Sequence, residues 1–303
     1  MQSEEHIPAW VNDPHPTSDD RKGLRGVRRV LGALRMLFPG DRAKTWFYLN
    51  AIRGPRKILR RAVSEFSRFD HVYDVIAEFS TKFKGPFSIL EFGTAQGYGF
   101  AKLLGATRYL RMEDRITVHG FDSFEGLPPA TEAADRGFMG NDWMQGAYRA
   151  SYETLRGYCE SKGHRNFQLH RGWFENSLTH QLLQRLEREP PILVWIDCDL
   201  YSSSLTVLER LMPVLRSGCV IYFDDIDFNF FSRFTGQARL VHEVNRGRFG
   251  NDVELVIDPE LSWESDRVFR LVRFDERAPG YEPLYRRTTL PVARSIVDGL
   301  PFP

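Results

Sequence analysis

The stretch at residues 87–100, Phe-Ser-Ile-Leu-Glu-Phe-Gly-Thr-Ala-Gln-Gly-Tyr-Gly-Phe, most limits what this chain can fold into. Residues 87–90 form a short apolar run of the length of a buried strand. Glu91 follows, then Gly93, Thr94, Gly97 and Gly99, then the helix-like segment 100–104. Strand, glycine turn and helix make the opening unit of a nucleotide-binding α/β sheet. Glycines at such a turn let the backbone bend tightly and approach a ligand closely. The dinucleotide fingerprint is G-x-G-x-x-G. Here the spacing is G-x-x-x-G-x-G, with a carboxylate two residues before the first glycine. That pattern favours a ligand with a cationic centre and a ribose over one with a pyrophosphate.

S-adenosylmethionine meets that description. Glu91, Gly93, Thr94, Gly97 and Gly99 are its candidate contacts from the first turn. Residues 116–121 read as the second strand, with Asp122 and Ser123 at its end. A carboxylate there can accept hydrogen bonds from both ribose hydroxyls. Asp122 would serve NAD equally well, and it could instead cap a turn with Ser123.

From residue 87 onward, strand and helix patterns alternate. Strands are predicted at 87–92, 116–121, 166–170, 192–197 and 218–223, and helices at 98–106, 143–162, 177–188, 203–215 and 236–247. Such alternation implies parallel βαβ units with right-handed crossovers. Two further strands near 252–257 and 267–274 are joined by about ten residues, a hairpin-scale link that makes them antiparallel. The expected fold is an α/β, Rossmann-like class I methyltransferase sheet, mostly parallel with a C-terminal antiparallel hairpin and helices on both faces. An N-terminal helical extension precedes it. The expected divisions are a flexible tail at 1–20, a basic helical extension or lid at 21–84, the cofactor-binding domain at 85–275 and a C-terminal tail at 276–303.

The chain has 303 residues and a net charge of +1, so no overall charge argues for a nucleic-acid partner. Charge is uneven, however: residues 21–61 hold thirteen Lys or Arg and one acid, Asp41. Leu24, Val27, Leu31, Leu34 and Phe38 recur there at helical spacing beside a stripe of Arg21, Arg25, Arg28 and Arg35. The region reads as a basic face over a helical lid, with a role in homo-oligomer formation; a nucleic-acid or membrane-surface element is the alternative. Three cysteines make no disulfide framework and suggest a reducing compartment. The N-terminus lacks a signal-peptide pattern, and no apolar run reaches transmembrane length. The expectation is a cytoplasmic protein.

The carboxylates form the densest constellation. Asp197 and Asp199 close the fourth strand, and Asp224 and Asp225 close the fifth. Neighbouring parallel strands bring these ends to one rim. Asp224 and Asp225 would point to opposite faces of a strand, so both can face one site only where the strand has given way to a turn. Converging carboxylates with no basic residue nearby in sequence repel unless a cation or protons lie among them. Oxygen-only ligands suit a hard ion such as Mg2+, here on Asp197, Asp224 and Asp225. Asp199 is as readily read as the cap of the helix beginning near residues 202–204. His170 and His242 are weak signals, and a satisfied structural histidine is the commoner case for each.

Four segments in order resemble the macrocin O-methyltransferase (TylF/MycF) family. They are the glycine turn; residues 120–128, Gly-Phe-Asp-Ser-Phe-Glu-Gly-Leu-Pro; residues 171–178, Arg-Gly-Trp-Phe-Glu-Asn-Ser-Leu; and residues 195–204 with 223–225 downstream. The resemblance spans roughly residues 85–275. It implies an S-adenosylmethionine-dependent O-methyltransferase in which Trp173 and Phe174 wall the adenine. It also implies a metal held by Asp197, Asp224 and Asp225, and a proton taken by Asp197. The acceptor it implies is a hydroxyl on a sugar, polyketide or related metabolite. The chain departs from the family at Cys198, in place of a glycine between the two aspartates, at Ser217-Gly218-Cys219 in place of Gly-Gly, and at Ile226, where an aromatic is expected.

Overall fold

Five of the seven strands run parallel; the apolar runs Phe87–Phe92, Pro191–Ile196 and Val220–Phe223 are fully buried, while the mixed edge strand Phe167–Arg171 is half-exposed. The computed structural model describes residues 69–82, 85–137, 143–262 and 267–274. The chain divides into two units, Met1–Glu65 and Phe66–Pro303, and every described residue belongs to the second. The expected tails at 1–20 and 276–303, and the basic helical part of the extension through residue 68, lie outside the described residues.

The elements run α1 (Asp70–Lys82), β1 (Phe87–Phe92), α2 (Tyr98–Tyr109), β2 (Ile116–Asp122), a 3-10 turn (Ala133–Asp135), α3 (Tyr152–Ser161), β3 (Phe167–Arg171), α4 (Phe174–Ser177), α5 (His180–Arg188), β4 (Pro191–Ile196), α6 (Tyr201–Leu211), β5 (Val220–Phe223), α7 (Gly236–Val244), β6 (Val253–Ile257) and β7 (Val268–Arg273). The sheet order is β3-β2-β1-β4-β5-β7-β6. β1 pairs parallel with β2 and β4, β2 with β3, and β4 with β5. β7 pairs antiparallel with both β5 and β6, the hairpin that the short link anticipates. β1 and β4 are buried along their whole length, as central parallel strands covered on both faces must be. The strand order reverses between β1 and β4, so their carboxyl ends open on the crevice where such sheets bind ligands.

Local differences from the sequence reading have local causes. The helix expected over 143–162 forms only as α3. Gly146 and Tyr148 take positive φ (76° and 61°), which a continuing helix cannot accommodate, and Ser151 then caps α3 by accepting from the Thr154 N–H at 3.2 Å. The helix expected at 177–188 forms as α5 and starts later, because Thr179 caps it with a 3.3 Å bond from the Leu182 N–H, while the short α4 precedes it. The sequence reading did not place α1. Val72, Val75, Ile76 and Phe79 are its buried stripe at helical spacing. Arg270 on β7 ties this helix to the hairpin, bonding Glu78 and Asp258 at 2.7 Å each.

His170, expected to be structural, is half-buried and paired with the buried His119. His119 Nδ1 and His170 Nε2 lie 3.0 Å apart across β2 and β3, and the Phe121 ring stacks 4.4 Å from His170. Burial pushes His119 down to about 3, helped by His170 and Arg185; burial and then Arg185 push His170 down to about 4. Both rings are therefore neutral in the folded protein, while the unfolded chain protonates them below about pH 6.5. Their contribution is intact above that pH and is lost as pH falls toward the folded values, by up to about 1.4 kcal/mol per pH unit per ring. Thermal unfolding followed from pH 7.5 to 4.5 is expected to show a falling Tm, and His119→Gln is expected to flatten the lower part of that fall. Parallel curves for the two proteins would contradict the assignment.

Candidate active site

A cavity of about 670 Å³ opens at the carboxyl ends of β1, β2 and β4, lined by residues from each of these strand ends and by Tyr148 from the loop before α3. Its floor is the glycine turn. Gly93 has φ +94°, and a Cβ there would lie 1.8 Å from the Asp197 carbonyl oxygen. A Cβ on Gly99 would lie 2.2 Å from Glu91 Oε1, so Gly99 is what allows the buried Glu91 carboxylate to sit beneath the start of α2. Gly97, with φ +87°, is the N-cap of α2 and packs on Leu155 rather than facing the cavity. Glu91, Gly93, Thr94 and Gly99 all line it. Thr94 is buried, and its hydroxyl has no hydrogen-bond partner among the described residues. An orphaned hydroxyl in a cavity wall is costly unless a ligand's polar group satisfies it.

Asp122 closes β2 at the opposite wall. Its Oδ2 accepts from the Ala95 N–H at 2.8 Å and its Oδ1 from the Phe124 N–H at 2.6 Å. One carboxylate thus staples the glycine turn to its own turn. Each oxygen keeps a second lone pair, so the staple leaves capacity for a diol. Burial raises the Asp122 pKa, and the two backbone N–H groups oppose that rise. Ser123 accepts from Glu125 N–H at 3.0 Å and donates to the Gly126 carbonyl at 3.2 Å, so its hydroxyl serves the turn. Trp173 and Phe174 both line the cavity, and Phe174 meets Phe92 edge-on at 5.4 Å. The pair presents aromatic surface to the same space as Asp122.

The carboxylate rim lies at the β4 and β5 ends. Oxygen atoms of Asp197, Asp224 and Asp225 all lie within 4.8 Å of one another. Oxygens facing each other across an octahedral Mg2+ are separated by about 4.2 Å, so this set has the spacing and chemistry that a hard cation takes. β5 ends at Phe223 and a turn follows, which is how consecutive aspartates reach one site. Gln237, wholly buried at the start of α7, locks that turn: its Oε1 accepts from the Asp225 N–H at 3.0 Å, and its Nε2 reaches the Ile196 carbonyl at 3.4 Å.

The rim decides one reading that the sequence leaves open and adds a neighbour that sequence proximity does not show. Asp199 is not a helix cap. The N-cap of α6 is Leu200, and the cap bond comes from Asp135, whose Oδ1 accepts from the Ser202 N–H at 2.9 Å. Asp199 instead takes a positive φ of 58° and lines the cavity. Burial and then the charges of Asp197 and Asp224 raise its pKa to about 7. The rim also has a basic neighbour. Arg267, which is remote in sequence, approaches Asp224 Oδ1 to 3.6 Å, donates to the Asp224 carbonyl and pairs with Asp227 at 2.7 Å. Sequence proximity could not reveal it, because the hairpin carries it in from some forty positions away. Tyr148 was likewise unforeseen. Its ring lines the cavity while remaining largely exposed, and its phenol pKa is raised by burial and by Asp199, Asp225 and Asp197.

Residues 90–226 match the family model for a methyltransferase domain. The chain carries a methyltransferase domain. With the class I sheet around its cavity, this makes it an S-adenosylmethionine-dependent methyltransferase. Two solved structures share the fold. The O-methyltransferase NovP is 20% identical, over 69% of this chain and 80% of that one, with a TM-score of 0.51. The calicheamicin methyltransferase CalS11 is 19% identical, over 91% of this chain and 100% of that one, with a TM-score of 0.52. No curated protein matches the chain. Among the described residues, no helix is long and apolar enough to cross a membrane.

Asp122 supplies a direct test of how this methyltransferase holds its cofactor. If its carboxylate binds the ribose as well as the loop, wild type is expected to bind S-adenosylhomocysteine at least about tenfold more tightly than its 2′,3′-dideoxy analogue, a difference of about 1.4 kcal/mol. Asp122→Asn is expected to bind the two ligands within about threefold of each other. Equal discrimination by both proteins in calorimetry would leave Asp122 as a loop staple alone.

Proposed function

We propose that this methyltransferase transfers the methyl group to a hydroxyl oxygen of a small metabolite, with a divalent cation, Mg2+, held by Asp197, Asp224 and Asp225. The observation that carries the reading is the convergence of those three carboxylates within 4.8 Å beside the cavity. The ordered motifs at the glycine turn, Asp122, Trp173-Phe174 and the Asp rim support a place in the macrocin O-methyltransferase family. A sugar, polyketide or related metabolite bearing neighbouring hydroxyls is the acceptor class that such a site suits.

S-adenosylmethionine supplies an electrophilic methyl on a sulfonium, and a bound Mg2+ supplies a positive centre that lowers the pKa of a nearby hydroxyl. The chain's residues do the rest. Glu91 and Asp122 place negative charge at the two ends of the cofactor pocket. Trp173 and Phe174 exclude water from its aromatic wall, which strengthens electrostatic interactions inside it. Asp197 stands in both groups: it lines the cavity and belongs to the rim, so it is the carboxylate placed to accept the hydroxyl proton. Asp199 lies beside it with a pKa of about 7, and Tyr148 lines the same cavity. The Gly93–Asp197 contact fixes the distance between cofactor floor and rim, which is the geometric demand of an in-line transfer.

Methyl transfer to a catechol or vicinal-diol acceptor, measured with radiolabelled S-adenosylmethionine, is expected to stop in EDTA and return with Mg2+. Asp225→Asn is expected to lose at least about 100-fold in metal-dependent turnover while binding S-adenosylhomocysteine as wild type does. Full activity in EDTA, or a fully active Asp225→Asn enzyme, would refute the metal-assisted reading.

A further inference from the structure

Asp224 is held by two side chains from β5 and the hairpin. The Tyr222 phenol donates to its Oδ1 at 2.7 Å, and Arg267 Nη1 approaches the same oxygen to 3.6 Å from the hairpin side. We propose that Tyr222 and Arg267 are positioning residues for the metal, clamping Asp224 Oδ1 so that the carboxylate is fixed in the orientation that joins Asp197 and Asp225. The inference rests on the metal reading of the rim.

The clamp is built from rigid parts. Tyr222 is 2% exposed near the end of β5, and its hydroxyl reaches the Asp224 carboxylate just past the strand. Its ring packs against Trp195, 4.0 Å away and tilted by 34°, and against the His71 ring of α1, stacked at 4.7 Å; His71 and Trp195 also meet at 5.4 Å, so the three rings form one cluster. That cluster anchors the ring whose hydroxyl bonds Asp224. Trp195 is itself stacked on Phe69 at 5.0 Å, so the aromatic deck is continuous from α1 to β5. Arg267 interacts with the Tyr222 phenol and is held by further bonds of its own. Its Nη2 pairs with Asp227 at 2.7 Å, and its Nη1 donates to the Asp224 backbone carbonyl. A carboxylate held on one oxygen by a buried phenol and a guanidinium loses its rotational freedom before any cation arrives. Groups that orient metal ligands in this way change metal affinity about 10–100-fold when removed.

Tyr222→Phe deletes the hydroxyl and keeps the stacked ring. Arg267→Lys keeps the charge and loses the fork that reaches Asp224 and Asp227 together. Both variants of the full chain are titrated calorimetrically with Mn2+ and, separately, with S-adenosylhomocysteine, and their Tm is measured in EDTA. The expected result is a Mn2+ Kd at least about tenfold weaker in each, with S-adenosylhomocysteine affinity unchanged. An unaltered Tm of Tyr222→Phe in EDTA is also expected, because the aromatic deck remains. A Mn2+ Kd within twofold of wild type in both variants would overturn the clamp while leaving the metal reading in place. Parallel losses of Mn2+ and S-adenosylhomocysteine affinity would overturn it in favour of a structural role for the two residues. A wild-type protein that binds no Mn2+ would overturn the clamp and the metal reading together.

Discussion

Gly93 lies flat against the Asp197 carbonyl, with no space between β1 and β4 for even one extra carbon. The Asp197 N–H in turn donates to the Phe92 carbonyl at 2.8 Å, so the two strand ends are locked to each other by backbone alone. Everything at the site is measured from this contact. On the β1 side it sets the glycine turn and the Glu91 carboxylate beneath α2. On the β4 side it sets Asp197 and, two residues on, the left-handed Asp199. Because both strands are buried along their full length, neither end can drift without disturbing the core. The cofactor floor and the acidic rim are thus two faces of one rigid junction.

Around that junction the chain spends buried polar groups on orientation. Asp122 staples two loops, Gln237 joins the Asp225 turn to β4, and Asp135 caps α6 from 67 residues away. All but the local Phe124–Asp122 bond cross from one strand end or loop to another, so the rim's geometry is over-determined. Such sites hold their electrostatics in place before the reaction rather than reorganising during it. The cost is local strain, visible in the positive φ of Asp199 and Tyr148, both of which line the cavity.

The sequence carried the sheet and the outline of the site because both depend on short-range signals. Apolar runs bounded by Gly or Asp mark β1, β2 and β4, and a short link marks the hairpin. The adjacent Asp224 and Asp225 announce a turn because a strand would have separated them. What the sequence withheld depends on long-range contact. Arg267 approaches Asp224 only because β7 pairs with β5. Asp135 replaces Asp199 as the cap of α6 only because the 3-10 turn packs there, and nothing near residue 135 advertises it. The helical pattern over 143–151 was overridden by two residues in the left-handed region, where Gly146 is permissive and Tyr148 is not. The α1 stripe, Val72 to Phe79, is legible in its helical spacing.

The central claim is that one cavity holds S-adenosylmethionine against Asp122 while the adjoining rim holds a divalent cation. Anomalous diffraction from crystals grown with S-adenosylhomocysteine and Mn2+ tests both halves at once. The account predicts one Mn2+ peak among Asp197, Asp224 and Asp225, with the ribose hydroxyls on Asp122 and the adenine beside Trp173 and Phe174. A cofactor seated as described with no Mn2+ peak at the rim, or with the metal bound elsewhere, would contradict it.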